Sequence, residues 1–312
     1  MNLGVPLGLG SGLCWGAADF FGGIQARRLP ALTVAFWSQL AGALALAVAL
    51  GIEGTRPAPA GFAWGLAAGV GSGCALVLFY RALAEGTMSA VAPISACGAI
   101  VPVAAALLSG DHPGAVAALG VVAAIIGVFL VSRPRRPTRS GGNPAERPLP
   151  ASGRPGRVVA MALGAAVGFG LFYVFVDAGA AGTTGSRGSP LWVIAGARAS
   201  SLVVLSTIAF VGRRSALGRS ALGRSAHGRS ALRWPGRRIG PVALVGIGDT
   251  GANLLFAYAA TAGNLAVVGV LGSLYPVATV VLARWLLGER LSGGQNAGVV
   301  LALTGVGLLA AA

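Results

Sequence analysis

Ionisable side chains are rare inside the long apolar runs of this sequence, and each one found there is a candidate for function. Arg198 lies within one run, and Asp19 lies late in the first. Asp249 and Asn253 lie four residues apart in another run, so they share one face if that run is helical. A charged side chain at membrane depth costs about 2.5–3.5 kcal/mol on insertion scales, so residues kept there usually serve a ligand or an ion.

These residues and the aromatic side chains near them predict a small-molecule cavity at the middle of the membrane. The candidate substrate-binding residues are Trp15, Asp19, Trp37, Gln39, Tyr80, Arg198, Asp249, Asn253, Tyr258 and Tyr275. In this hypothesis Arg198 holds a substrate carboxylate or pairs with an aspartate, and Asp19 or Asp249 carries a coupling proton. The alternative is an Arg198–Asp249 ion pair that only stabilises the bundle, with the tyrosines and Trp37 in interfacial aromatic belts.

The composition predicts an all-α polytopic membrane protein. The chain has 312 residues, of which 55% are hydrophobic and 10% charged, and its mean hydropathy is +0.79. Soluble proteins carry about 25% charged residues. A helix of about 20 apolar residues crosses a bilayer, and the runs here are too long for membrane-barrel strands. We predict ten transmembrane helices at residues 3–23, 31–51, 61–83, 88–108, 114–132, 158–176, 190–211, 240–262, 265–287 and 296–311.

The net charge of +15 indicates membrane orientation rather than nucleic-acid binding. All 23 basic residues are arginines, and 20 of them lie in the odd-numbered connectors or the adjacent helix ends. Cytoplasmic loops of membrane proteins are enriched in Arg and Lys. We therefore predict a multi-pass protein of the plasma (inner) membrane, with the basic loops in the cytoplasm and both termini outside.

The second half of the chain repeats the first. Tyr80 falls on Tyr258 and Gly110 on Gly288 at one constant displacement of 178 residues, without a gap over roughly fifty residues. Each half contains five predicted spans. Because five is odd, the second half must enter the membrane from the opposite side. The sequence thus predicts two inverted five-helix repeats, an architecture common among secondary transporters.

The predicted units are residues 1–132 and 158–312, joined by a Pro- and Arg-rich linker at 133–157. The second unit carries a basic insertion at 213–238, in which Ser-Ala-Leu-Gly-Arg recurs. The first two helices of each half match at a displacement of 159 and the later helices at 178, so about 19 residues entered here. We interpret the insertion as a tolerated loop; a segment that binds anionic lipid is the alternative.

Prolines and glycines mark positions where the backbone matters. Pro93 and Pro276 lie inside predicted helices and should kink them. Gly288 and Glu289 follow a helix, where the Glu289 carboxylate can cap the N–H groups of the next helix or pair with Arg290. Glycines at every fourth position of the third span predict close helix packing within the monomer: Gly61, Gly65, Gly69 and Gly73.

No residue pattern predicts catalysis, a cofactor or a metal. The three cysteines lie inside apolar runs without metal-ligand spacing. The two histidines lie in connectors, away from any Ser–His–Asp arrangement. The Gly-rich segments lack the lysine of a phosphate loop. We expect the protein not to be an enzyme, and any transport must draw on a gradient or on exchange.

The motif residues resemble a known family. In the second half they are Pro276, Gly288, Glu289, Gln295, Gly298, Gly305 and Val306. In the first half they are 91–95, Gly110, Asp111, Gly120 and Gly127, together with Trp15-Gly16. This pattern resembles the EamA-type members of the drug/metabolite transporter superfamily. The first half departs from it by having Gly110-Asp111-His112 where Gly-Glu-Arg is typical.

The resemblance implies a secondary-active transporter that exports or exchanges small metabolites, amino acids or drug-like compounds by alternating access. A lipid or lipid-linked-sugar flippase of the same superfamily is one alternative. A non-transporting membrane sensor or scaffold, which would use the basic loops to bind a partner, is another. The expected partners are a small-molecule substrate, the lipid bilayer and a proton as coupling ion, with the chain a monomer or a dimer.

Overall fold

The computed structural model describes residues 3–54, 58–108, 110, 114–131, 154–181, 191–221, 232–262, 271–272 and 275–311. Within these ranges the regular elements are all helical. They are α1 Gly4–Ala26, α2 Ala31–Glu53, α3 Pro59–Glu85, α4 (Met88–Ala96 and Ile100–Leu108), α5 Ala115–Val131, α6 Pro155–Ala181, α7 Leu191–Ala221, α8 Ile239–Ala262, α9 Tyr275–Leu287 and α10 Gly293–Ala311. The predicted all-α fold with ten helices is confirmed.

The outer surface of this bundle is apolar, as lipid requires. Five described helices are long and apolar enough to cross a membrane: Ala31–Glu53, Pro59–Glu85, Pro155–Val176, Leu191–Arg214 and Gly236–Phe256. Shorter apolar helices accompany them. Large hydrophobic side chains such as Leu44, Phe129 and Val203 are mostly exposed. A soluble protein does not present so much apolar surface to water, so the protein lies in a membrane.

The third helix of each half packs against the first two helices of the other half. Helix α3 contacts α6 and α7, while α8 contacts α1 and α2. A Cβ on Gly73 would lie 3.2 Å from the Cα of Ser201, and a Cβ on Gly42 would lie 2.6 Å from the Thr250 hydroxyl. The glycine stripe of α3 therefore packs against α7, because only backbones without side chains can approach so closely.

Helices α5 and α10 demonstrate that the two halves are inverted relative to each other. A Cβ on Gly120 would lie 3.0 Å from the carbonyl oxygen of Gly305, and one on Gly298 would lie 2.8 Å from that of Gly127. Gly120 and Gly127 are the repeat equivalents of Gly298 and Gly305. Exchanging the two halves therefore converts the Gly120–Gly305 contact into the Gly298–Gly127 contact. Residue numbers rise along α5 as they fall along α10. The equivalent helices are antiparallel, and the halves are related by a pseudo-two-fold axis.

The odd-numbered connectors gather at one end of the bundle, which we term the Arg-rich end. Arg27, after α1, lies 3.0 Å from Glu289, after α9. Arg157, at the start of α6, lies 3.7 Å from Glu85 at the end of α3. Arg233, in the connector before α8, forms hydrogen bonds with Thr33 and Trp37 of α2. This is the arrangement on which the charge-based orientation depends; the side that the Arg-rich end faces stays a prediction.

Glu289 stabilises the Arg-rich end through partners in the other half of the chain. Its carboxylate accepts hydrogen bonds from the backbone N–H groups of Met88 at 3.0 Å and Ser89 at 2.9 Å. It thereby caps α4, where the orphan N–H groups and the positive end of the helix dipole favour an anion. These partners differ from the predicted ones. Helix α10 has its own capping box, formed by Ser292 and Gln295.

Two glycines at equivalent positions turn the chain before α5 and α10. Gly110 has φ of 88° and Gly288 has φ of 62°, in the left-handed region that favours glycine. The prolines act differently from each other. Pro93 lies inside Met88–Ala96, after which one 3₁₀ turn, Cys97–Ala99, interrupts α4. Pro276 is the second residue of α9 as described, where it is compatible with a helix start.

The basic insertion is partly helical, which corrects its prediction as a loop. Helix α7 continues to Ala221, and the Arg214 guanidinium lies 4.4 Å from the ring centre of Phe210. Arg, Ala and Leu are strong helix formers, so the helix extends beyond the apolar span. Several predicted features lie outside the described residues. They are residues 222–231 of the insertion, 133–153 of the linker, Asp111, and residues 265–270 and 273–274 of the ninth predicted span.

Candidate functional site

A cavity of about 130 Å³ lies between the two halves, beside the α2–α8 and α3–α7 contacts. Seven helices line it, four from the second half and three from the first. The lining residues are Trp15, Ala18, Asp19, Ser38, Gln39, Ser72, Leu76, Tyr80, Phe169, Phe172, Tyr173, Ile194, Ala197, Arg198, Ser201, Val245, Gly246, Asp249, Asn253 and Tyr275.

Arg198 on α7 is the centre of the polar network in this cavity. Its guanidinium donates one hydrogen bond to Gln39 Oε1 at 2.6 Å, a second to the Asp249 carboxylate and a third to the Thr250 hydroxyl at 3.4 Å. Gln39 and Arg198 are repeat equivalents, so the pseudo-two-fold axis brings these two positions together. Only 7% of Arg198 is exposed. The charge is therefore buried, but it is both paired and hydrogen-bonded, as burial demands.

Small residues create the space that Arg198 occupies. A Cβ on Gly42 would lie 3.5 Å from the guanidinium carbon of Arg198. The Thr250 hydroxyl donates to the Gly42 carbonyl oxygen at 3.1 Å. The Ser201 hydroxyl lies 3.4 Å from Gln39 Oε1. The close α2–α8 contact thus holds the partners of Arg198 in place.

The two aspartates differ in their surroundings. Asp249 pairs with Arg198, yet one third of its side chain is exposed, compared with 9% for Arg198. Asn253, one turn along α8, donates to the Asp249 backbone carbonyl at 2.6 Å. Asp19 on α1 also lines the cavity. Among the described residues, Asp19 has no hydrogen-bond or ion-pair partner.

Aromatic rings form much of the remaining wall. Trp15 packs against Phe256 at 5.5 Å and against Tyr275 at 6.4 Å between ring centres. Tyr80 is 4% exposed and fits against Gly22 of α1. Phe169, Phe172 and Tyr173 of α6 face the cavity from the second half. Offset and edge contacts are the geometries that aromatic pairs prefer.

Eight of the ten predicted residues line the cavity, and Trp37 and Tyr258 do not. A helix turns 100° per residue, so Trp37 points about 200° away from Gln39 on α2. Its indole N–H donates to the Arg233 carbonyl at 3.1 Å, and its ring contacts Trp234. Tyr258 lies nine residues from Asp249, which places it on the opposite face of α8, where it is 49% exposed.

The sequence analysis missed the aromatic residues of α6, because the predicted displacement of 159 places Trp15 on Val174. Gly16 lets α1 contact α9, where the Thr279 hydroxyl donates to the Gly16 carbonyl at 3.0 Å. Gly170 lets α6 contact α4 in the same way, at Gly98. Phe169-Gly170 therefore corresponds to Trp15-Gly16, 154 residues apart. This corrects the displacement of 159 predicted for the first helix of each half. The hydroxyls of Ser38, Ser72 and Ser201 carried no signal in the sequence.

Comparison with known proteins assigns the family. The model of the EamA-like transporter family matches residues 2–133 and again residues 156–311. The chain belongs to the EamA-like transporter family. One solved structure, described as "Crystal structure of protein", shares the fold with a TM-score of 0.56 and 17% identity, over 98% of this chain and 95% of that one. A search of the curated proteins finds no match. Among the described residues, no group of His, Cys, Asp and Glu side chains could hold a metal ion.

Proposed function

We propose that this EamA-family protein is a secondary-active transporter that exports or exchanges small metabolites, amino acids or drug-like compounds across the plasma membrane. The observation that carries the proposal is the cavity between the two inverted halves, with Arg198, Asp249 and Asp19 in its wall. Charged side chains are retained at membrane depth where they serve a substrate or ion path. Inverted halves are suited to alternating access because each can adopt the conformation of the other.

The Arg-rich end supplies the closed gate in this proposal. A buried cluster lies between the cavity and that end: Phe20, Leu32, Phe79, Leu83 and Met88. Above it, Arg27 donates to Glu289 and lies within 3.3–3.4 Å of the carbonyl oxygens of Leu83 and Gly86. Opening this end requires these contacts to separate, while the cavity closes on its other side.

Asp19 and Asp249 are the proposed carriers of the coupling proton. Both carboxylates line the cavity, and a carboxylate that is charged in one conformation and neutral in the other links proton movement to substrate movement. Asp19 suits this role better, because it has no cationic partner among the described residues that would hold its charge. Asp249 would exchange its proton only as the contact with Arg198 changes.

Transport by purified protein in proteoliposomes tests the proposal. Uptake of a panel of amino acids and cationic drugs is measured with and without an imposed pH gradient, for the native chain, Asp249→Asn and Arg198→Ala. Glu53→Gln, which alters an exposed carboxylate at the end of α2, is the control. We expect gradient-stimulated uptake of one class that both cavity variants lose and the control keeps. Unimpaired uptake by both well-expressed cavity variants would contradict a role for the cavity in transport.

Two further outcomes separate this function from the alternatives. A flippase would move fluorescent lipid between leaflets while leaving the soluble panel untouched. A scaffold would move neither. Deletion of residues 222–231 sharpens the second distinction, because it removes much of the basic insertion and none of the described residues. A transporter should keep its activity after that deletion, whereas a scaffold that binds its partner through the basic insertion should lose the partner.

A further inference from the structure

The more accessible member of the ion pair in this cavity is a carboxylate. Arg198 lies behind its own partners, because its guanidinium donates to Gln39, Asp249 and Thr250 and its side chain is 9% exposed. The side chain of Asp249 is 33% exposed. The positive member of the pair is thus the less accessible one.

A count of charges in the described wall gives the same sign. Arg198 and Asp249 neutralise each other. Asp19 remains, without a hydrogen-bond or ion-pair partner among the described residues. With Asp19 ionised, the described wall carries one net negative charge at membrane depth. Such a charge is costly without a counter-ion, so Asp19 keeps its proton in the empty cavity. A monovalent cation takes the place of that proton when it enters.

The aromatic wall and the size of the cavity further limit which cations can bind. Trp15, Phe169, Phe172 and Tyr173 line the same space as Asp19. An organic cation gains from aromatic faces within about 6 Å. An engineered cavity of about 150 Å³ binds benzene, so this cavity of about 130 Å³ fits a body of about one aromatic ring.

We infer that the cavity selects monovalent organic cations with a single-ring apolar body, and that Asp19 is the residue that determines this selectivity. The inference rests on the proposed transport function and names its substrate class. An anionic or zwitterionic compound would place its carboxylate near Asp19 and could reach Arg198 only by displacing Asp249 or Gln39. The site therefore discriminates by charge against compounds whose ring fits equally well.

Three compounds that share a phenyl ring and two-carbon chain test the inference: phenethylamine, phenylalanine and 3-phenylpropionate. They differ in being cationic, zwitterionic and anionic. Binding of each to the full chain in nanodiscs is measured by calorimetry for the native protein, Asp19→Asn, Asp19→Glu and the control Glu53→Gln. We expect phenethylamine to bind at least ~10-fold more tightly than the other two. Asp19→Asn should remove that preference, and Asp19→Glu and Glu53→Gln should retain it.

Several results would overturn the inference. They are equal or tighter binding of phenylalanine or 3-phenylpropionate, a preference for the amine that survives Asp19→Asn with normal thermal unfolding, and no binding of any of the three. Transport of the same compounds distinguishes this failure from failure of the proposed function. If proteoliposomes move an anion or a zwitterion, the proposed transport function is supported and the proposed selectivity for cations is contradicted. If they move no solute of any charge, the proposed function falls as well.

Discussion

Two arginine–carboxylate pairs lie where the halves of this protein meet, one between the halves and one within the second half, and their accessibilities are reversed. At the Arg-rich end, the side chain of Glu289 is 7% exposed and that of Arg27 is 20% exposed. In the cavity, Arg198 is 9% exposed and Asp249 is 33% exposed. In each pair the more buried member makes the most hydrogen bonds to the opposite half. Glu289 accepts hydrogen bonds from two backbone N–H groups of α4, and Arg198 donates one to Gln39 on α2.

The comparison separates a structural role from a ligand-binding one. The buried member of each pair organises the contact between the halves, since removing it would leave several polar groups unpaired. The more exposed member of each pair keeps part of its side chain accessible for a further contact. At the Arg-rich end that accessible part belongs to Arg27, which lies near the Leu83 and Gly86 carbonyls. In the cavity it belongs to the Asp249 carboxylate, which we propose as a contact for a substrate or a proton.

The largest expected effect comes from breaking the helix contact that carries Arg198. A Cβ on Gly69 would overlap the carbonyl group of Ala197, one residue before Arg198. Overpacking a core costs 1–3 kcal/mol or more, and a backbone clash cannot be relieved by a rotamer change. We expect Gly69→Leu to yield no folded monomer in fluorescence-detected size-exclusion chromatography. Gly51→Leu, at a position with open space around it, should give the native profile; a native profile for both would contradict the packing role.

Removal of the arginine in the cavity should rank next. Arg198→Met leaves Asp249 and Gln39 without their donor, and breaking a buried ion pair costs about 3–5 kcal/mol. We expect a lower free energy of unfolding in detergent and loss of transport. Arg198→Met/Asp249→Leu should recover much of that stability but no transport, because an apolar pair can replace a buried ion pair structurally. A double variant no more stable than the single one would mean that Arg198 stabilises the fold through other contacts.

A smaller loss is expected at the Arg-rich end. Glu289→Gln removes the charge that caps α4, and its amide cannot accept from Arg27, Met88 and Ser89 together. Leaving such groups unsatisfied costs about 1–3 kcal/mol. Thermal unfolding of Glu289→Gln and of Arg290→Gln, whose residue is exposed, measures the difference. Equal stability of the two variants would contradict this role of Glu289. It would favour the local contacts predicted from the sequence, with the next helix or with Arg290. Phenethylamine binding should not change in either.

The smallest effect is expected at Trp37. Trp37→Phe removes the hydrogen bond to the Arg233 carbonyl, a change worth about 0.5–1.5 kcal/mol. Because Trp37 lies outside the cavity, uptake into proteoliposomes should be unchanged. A strong loss of uptake at normal expression would place the end of the basic insertion in the transport mechanism.

Much of the fold was predictable because lipid imposes simple rules on the sequence. Long apolar runs must be helices, and a constant displacement between halves predicts which positions are equivalent. The ion pair between Arg198 and Asp249 was one of the alternatives that the sequence offered, since ionisable groups at membrane depth usually pair with one another. The hydrogen bond from Arg198 to Gln39 was not predicted. Gly110 and Gly288 matched as expected, because the same left-handed turn is needed twice.

Other features depend on contacts that local sequence cannot reveal. Glu289 lies about 200 residues from the N–H groups that it caps, and nothing near it indicates that helix. The orientation of Trp37 and Tyr258 was predictable in principle from helix phase relative to Gln39 and Asp249. The helical part of the basic insertion reflects local propensity, which a reading based on hydropathy alone overlooks.

Access to the cavity from each side of the membrane tests the alternating mechanism most directly. Ser72 lines the cavity, and Ser72→Cys can be the sole thiol once Cys14, Cys74 and Cys97 are replaced. A membrane-impermeant maleimide is applied to right-side-out and inside-out vesicles of this active variant, with and without the transported compound. We expect labelling from both sides, at rates that the compound changes. Labelling from one side only, while transport continues, would contradict alternating access through this cavity.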